Sequence, residues 1–145
     1  MRNLAIAALA LFASATVSAQ DLMTSQVPTN LNTTFQKAYP NATDVEWEME
    51  GENYKVEFDM GQMDNEIWYS KDGNTIKTEM EITENELPAA VKKTAQIKYP
   101  KYKIDEVEMT EENGQKTYEV ELEKWFEKDR SLVIAEDGTL INERS

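Results

Sequence analysis

Carboxylates are the side chains in this sequence that are best suited to binding or catalysis. They recur at alternate positions of short segments. Residues 44–50 read DVEWEME and residues 54–60 read YKVEFDM. Successive side chains of a strand point to opposite faces, so this alternation predicts acids on one face and apolar residues, Val45 among them, on the other. The acids predicted to share the solvent face are Glu46, Glu48, Glu57, Asp59, Glu106, Glu108, Glu119, Glu121 and Glu123.

A crowded carboxylate face supports two kinds of binding. It attracts a partner rich in lysine and arginine, because opposite charge raises the association rate and the specificity. Alternatively, its oxygens bind calcium or a cationic small ligand. Asp64–Glu66 and Asp72–Asn74 offer further oxygen ligands, but neither matches a calcium-loop motif. A solvated face that opposes aggregation is the interpretation without a ligand.

The residue types that are missing restrict catalysis. The chain contains no histidine and no cysteine, which excludes Ser-His and Cys-His nucleophiles and zinc or iron sites of the ordinary ligand types. A hydrolase with two catalytic carboxylates needs one defined pair, and the sequence singles out no pair among its many acids. We therefore predict a protein that is not an enzyme and that holds no cofactor and no metal.

Two tryptophans are candidate anchors for a protein partner. If Ile67 and Tyr69 point into the core, Trp68 points out among the acids. Trp125 lies at a predicted hairpin tip beside Phe126. Exposed tryptophan is a preferred interface anchor. A bulge or a one-residue shift in register would bury either ring, because such a shift exchanges the two faces of a strand.

The elements that must position these residues occur twice. Val27–Pro40 and Leu87–Pro100 both open on an apolar residue followed by proline, space their apolar residues as a helix does, and end on Tyr-Pro. Alternating segments and an Asp-Gly turn follow each of them. We predict an α+β fold made by tandem duplication, with repeats 20–82 and 83–145 packed as one compact domain. Residues 20–26 are expected to form a loosely docked polar leader.

Each predicted repeat contributes one helix and four antiparallel strands. Both helices are expected on one face of the sheet or sheets, with the other face open to solvent. The pattern leaves open whether the two sheets are continuous.

The first 19 residues have the pattern of an export signal. Arg2 precedes the apolar run Leu4–Ala13, and Val17–Ala19 provides small residues for cleavage. We predict a periplasmic or secreted protein that is not lipid-anchored, because no cysteine follows the run. The remaining chain has 14 of the 15 basic residues and all 28 acidic ones. This excess repels nucleic acid and anionic membranes, so the predicted partner is another exported or envelope protein, in an oligomeric state that the sequence does not define.

Taken together, these motifs resemble the bacterial β-lactamase-inhibitor-like, PepSY-like family. The resemblance is carried by Val27-Pro28, Leu87-Pro88, Tyr39-Pro40, Tyr99-Pro100, Val45–Trp47, Tyr54–Phe58, Asp72-Gly73, Thr78-Glu79 and Tyr118–Leu122. The second repeat departs from it at Met109, which stands where the first has Trp47, and at the charged hairpin Glu123–Arg130. The resemblance implies a small exported protein without enzymatic activity whose sheet face binds another protein, as an inhibitor of a secreted or periplasmic enzyme. The family has no agreed active site, so no residue role is carried over.

Overall fold

The computed structural model describes residues 20–145, and the predicted export signal lies outside them. Short 3-10 turns at Thr24–Gln26 and Glu84–Glu86 precede the two helices. The elements are, in chain order, β1 (Gln20–Leu22), α1 (Thr29–Ala38), β2 (Thr43–Glu50), β3 (Asn53–Met60), β4 (Met63–Tyr69), β5 (Thr75–Glu81), α2 (Ala89–Lys98), β6 (Lys103–Glu112), β7 (Gln115–Glu123), β8 (Arg130–Ala135) and β9 (Leu140–Arg144).

All nine strands form one antiparallel sheet in which every strand pairs with its neighbours in sequence. The predicted combination of two helices with an antiparallel sheet is confirmed. Four strands follow each helix, and we call α1 with β2–β5 the first unit and α2 with β6–β9 the second unit. The pairing of β5 with β6, which includes Met80 opposite Met109, makes the sheet continuous from one unit to the other.

The core lies between the helices and one face of the sheet, in two clusters. Leu31 and Phe35 of α1, and Val91 and Ala95 of α2, are four residues apart, so each pair points the same way and is buried. The α1 cluster contains Val27, Trp47, Val56, Phe58, Ile67 and Tyr69, and the α2 cluster contains Leu87, Val107, Tyr118, Val120, Leu122, Leu132 and Ile134. Each helix ends before a Tyr-Pro pair because the residue before a proline disfavours helical geometry.

Two local features differ from the predictions. The expected loose leader instead contributes β1, whose Leu22 pairs with Trp47 of β2, because three residues suffice to cover part of the free edge of that strand. A bulge also interrupts β2 between Thr43 and Glu46, where Asp44 has a φ of 50°. Val45 is therefore 38% exposed, although the alternation predicted it in the core. Among residues 20–145, no helix is long and apolar enough to cross a membrane.

Candidate functional site

The open face is the side of the sheet opposite the two helices. The strand registers place Glu46, Glu48, Lys55, Glu57, Asp59, Asp64, Glu66, Trp68, Lys77, Glu79, Glu81, Glu108, Glu119, Glu121 and Arg144 on it. Neither helix packs on this side, because both cover the apolar face. The open face is therefore a broad, mostly acidic surface that the described chain leaves uncovered.

The carboxylates of the open face form rows that run across the strands. In the first row, Glu46 lies opposite Glu57, Glu57 opposite Glu66, and Glu66 opposite Glu79. Side chains at directly opposed positions are about 5 Å apart at Cβ, so neighbouring glutamates in the row repel each other. The second row, Glu81, Glu108 and Glu119, crosses β5, β6 and β7 and joins the two units.

Two lysines offset the repulsion in the first row. The Nζ atom of Lys55 lies 3.4 Å from Glu48, 2.5 Å from Glu57 and 3.0 Å from Glu66. Burial by itself lowers the pKa of Lys55, but its hydrogen bonds and charge attraction to Glu57 and Glu66 outweigh burial and raise the pKa. Lys77 likewise pairs with Glu79. The first row thus carries internal counter-charges.

The centre of the second row has no such counter-charge. Within residues 20–145, no lysine or arginine nitrogen lies within 4.0 Å of Glu81 or Glu108. Burial, followed by repulsion from nearby glutamates including Glu79 and Glu119, raises the pKa of Glu108 to about 7. At the end of the row, Arg144 Nη1 lies 3.4 Å from Glu119. A cation placed beside Glu108 would relieve both the repulsion and the raised pKa.

Trp68 lies on the open face, as the alternation predicted, and is half-buried. Its Nε1–H donates a hydrogen bond to Glu50 Oε2. The ring centroid is 5.1 Å from Lys55 Nζ and 4.4 Å from Lys77 Nζ, which are cation–π distances. The protein's own lysines therefore flank the ring. Trp68 lies within the open face and does not project from it.

Trp125 lies elsewhere, in the connection between β7 and β8, where it is 83% exposed. Trp68 is near the β4–β5 turn, at the opposite end of the antiparallel sheet. The structure therefore does not bring the two predicted anchors together. It also separates the predicted acids: Glu46, Glu48, Glu57 and Asp59 lie in β2 and β3, and Glu119 and Glu121 lie in β7, four strands from β3.

Glu66 and Glu79, which complete the first row, were not among the acids predicted for the solvent face. The position of Glu66, two residues before Trp68, could have indicated that it shares a face with the tryptophan. Within residues 20–145, no group of three or more acidic side chains is arranged to hold a metal ion. A calcium ion would thus have to bind the open face without a preformed cage.

Comparisons with known proteins agree with this architecture. The family described as "Putative beta-lactamase-inhibitor-like, PepSY-like" matches residues 15–64 and 52–142. A structure titled as a BLIP-like protein from Bacteroides fragilis is 28% identical, with a TM-score of 0.60, over 81% of this chain and 86% of that chain. No curated protein sequence matches the chain.

Two further solved structures show the same fold. A DUF2874 family protein from Bacteroides ovatus has 23% identity and a TM-score of 0.61, over 81% of this chain and 86% of that chain. A structure titled "putative periplasmic proteins" from Bacteroides eggerthii has 18% identity and a TM-score of 0.64, over 81% and 88%. Because the family match spans most of the sequence, the chain belongs to the beta-lactamase-inhibitor-like, PepSY-like family.

Proposed function

We propose that this protein is an exported interaction module without enzymatic activity that binds a basic protein partner through its open face. The observation that carries the proposal is the second row, where Glu108 has a raised pKa and, among residues 20–145, no lysine or arginine nitrogen within 4.0 Å. Lysine or arginine side chains of a partner would supply the missing counter-charge. Complementary charge of this kind raises the association rate and excludes wrong partners.

The structural relatives and the export signal support a partner outside the cytoplasm. One structural relative is titled BLIP-like and another is titled periplasmic, and residues 1–19 have the composition of an export signal. The partner is accordingly a secreted or periplasmic enzyme, and the module acts as its inhibitor. An inhibitor that binds through a sheet face needs no catalytic residue.

The test compares two double variants that remove the same charge. Glu79→Gln/Glu108→Gln changes the open face, whereas Glu52→Gln/Glu136→Gln changes exposed acids in turns. Each immobilised protein captures partners from the exported fraction at about 0.1 M salt, where surface charges interact over about 10 Å. We expect the open-face variant to lose a basic partner that the wild type and the turn variant retain. Equal capture by all three proteins would refute binding through the open face.

The second candidate function is binding of calcium or a cationic small ligand. The repulsion at Glu108 favours it too, since a small cation would relieve it more fully than the attraction from Lys77 does. Calorimetric titration with about 1 mM calcium, the range of weak extracellular sites, separates the two candidates. Heat that disappears in Glu79→Gln/Glu108→Gln would support the small cation, and absence of heat would exclude calcium.

A further inference from the structure

The connection between β7 and β8 is longer than the fold requires. In the first unit, the equivalent connection between β3 and β4 is the two-residue turn Gly61–Gln62. In the second unit it comprises residues 124–129. Both connections join the second and third strands after a helix, at the same end of the sheet. The additional residues therefore serve something other than strand pairing.

These additional residues present two aromatic rings to solvent. Trp125 is 83% exposed and Phe126 is 97% exposed, and their rings pack edge to face with centroids 5.5 Å apart. Glu127 accepts hydrogen bonds from Tyr102 Oη, at 2.9 Å, and from Lys124 Nζ, and so ties the loop to the residues before β6. The loop is thus an anchored, exposed tip, which we call the aromatic tip (residues 124–129).

Unpaired cations collect beside the aromatic tip. Lys101, Lys103 and Trp125 line one shallow depression together with Glu123, Lys124 and Asp129. Within residues 20–145, neither Lys101 nor Lys103 has a carboxylate within 4.0 Å, and the same holds for Lys128 in the tip itself. In a chain with 28 acidic and 15 basic residues, three lysines outside any salt bridge of the described residues, beside two exposed rings, are an unusual local composition.

We propose that the aromatic tip docks on an anionic phospholipid surface. Trp125 and Phe126 enter the interfacial layer, where aromatic rings are favoured, and Lys101, Lys103 and Lys128 approach lipid phosphates. A bilayer suits two almost fully exposed rings because it needs no pocket of matching shape. Docking there leaves the open face free, so this inference goes beyond the proposed function and does not depend on it.

The net negative charge of the sequence predicted repulsion from anionic membranes. That prediction treated the charge as evenly spread over the protein. Strands are about 4.8 Å apart, so β3 lies four strands, or about 19 Å, from β7. The screening length at physiological salt is about 8 Å. The acids of β2 and β3 are therefore largely screened from a membrane that contacts the aromatic tip. In and beside the tip, the three acids Glu123, Glu127 and Asp129 are outnumbered by the four lysines Lys101, Lys103, Lys124 and Lys128.

The test measures sedimentation of the exported form of the protein with lipid vesicles. We expect binding to phosphatidylcholine vesicles that contain phosphatidylglycerol, and weaker binding to phosphatidylcholine alone. Trp125→Ala/Phe126→Ala and Lys101→Gln/Lys103→Gln should each weaken binding at least about tenfold. Lys71→Gln/Lys93→Gln removes the same charge from two exposed lysines outside the tip and should leave binding unchanged.

A second design keeps the hairpin while it removes the tip, by replacing residues 124–129 with the Gly-Gln turn of the first unit. Loss of vesicle binding in this protein, with unchanged thermal unfolding, would support the proposal. Absence of binding to the anionic vesicles would overturn it, as would binding that survives the tip variants. Tip variants that lose a protein partner but keep vesicle binding would also overturn it and would assign the tip to that partner. Capture through the open face is unaffected by any of these outcomes.

Discussion

Glu108→Gln is the substitution that tests the electrostatics of the open face most sharply. The pKa of Glu108 is raised from 4.5 to about 7 by burial and by the neighbouring glutamates. One pKa unit corresponds to about 1.4 kcal/mol, so the ionised side chain costs the fold at most about 3.5 kcal/mol at high pH. The side chain is only half-buried, and solvent screening reduces this cost to about 1–2 kcal/mol. Glutamine keeps the shape and removes the charge.

The gain in stability should depend on pH with a defined sign. Between pH 4.5 and 7 the folded state holds the proton on Glu108 while the unfolded chain releases it, so the wild type loses stability as the pH rises through this range. We expect Glu108→Gln to be more stable than the wild type by about 1–2 kcal/mol at pH 8. The difference should vanish near pH 4.5, because Glu108 is then protonated in the folded protein.

Urea unfolding at pH 4.5, 6 and 8 measures this difference. Glu112→Gln is the matched control, because Glu112 is an exposed acid on the same strand and the same face, and it should change the free energy of unfolding by less than about 0.5 kcal/mol at each pH. A Glu108→Gln protein that is less stable than the wild type at pH 8 would refute the reasoning. So would a gain that is the same at all three pH values.

Two further predictions concern the turns and the first row. Gly138 has a φ of 90°, and a Cβ there would lie 2.9 Å from the Ala90 carbonyl oxygen, so Gly138→Ala should cost about 3 kcal/mol or more. Gly73→Ala, with a similar φ but its nearest atom at 4.0 Å, should cost about 1–2 kcal/mol in the same urea unfolding assay. Equal losses of stability in the two variants would contradict a clash between the new Cβ and Ala90. Lys55→Met should cost about 1–3 kcal/mol at pH 7, because three glutamates lose their shared cation. Its hydrogen bond to Glu57 lowers the pKa of that acid, so the loss should be present above about pH 5 and shrink as the pH falls; a loss that persists at pH 3 would contradict the pairing.

The positions of most elements follow from the sequence because their patterns are long. The alternation over residues 54–60 predicts a strand that the structure extends by only one residue, to Asn53. Three-residue β1 has no readable period, and it forms because β2 offers a free edge. The bulge at Asp44 could not be predicted from the sequence either. An aspartate with left-handed backbone geometry at the start of a strand leaves the alternation of residue types unchanged.

The candidate site was predictable in its chemistry but not in its pairings. Residue types and alternation placed acids and Trp68 on one face. Which charges meet depends on register between strands, and Glu79 and Glu108 become neighbours only because β5 pairs with β6 across the two units. No local signal specifies that register, which results from the packing of both helices on the opposite face.

The three tryptophans allow one measurement to test the central claim, that a basic partner binds the open face. Trp47 is buried in the α1 cluster, Trp68 lies on the open face and Trp125 is in the aromatic tip. Each indole N–H gives its own signal in a nitrogen-15 correlation spectrum. On titration with a lysine-rich peptide at low salt, the account predicts that the Trp68 signal shifts and that the Trp47 and Trp125 signals stay in place. A shift of Trp125 alone, or saturation with no change at Trp68, would contradict it.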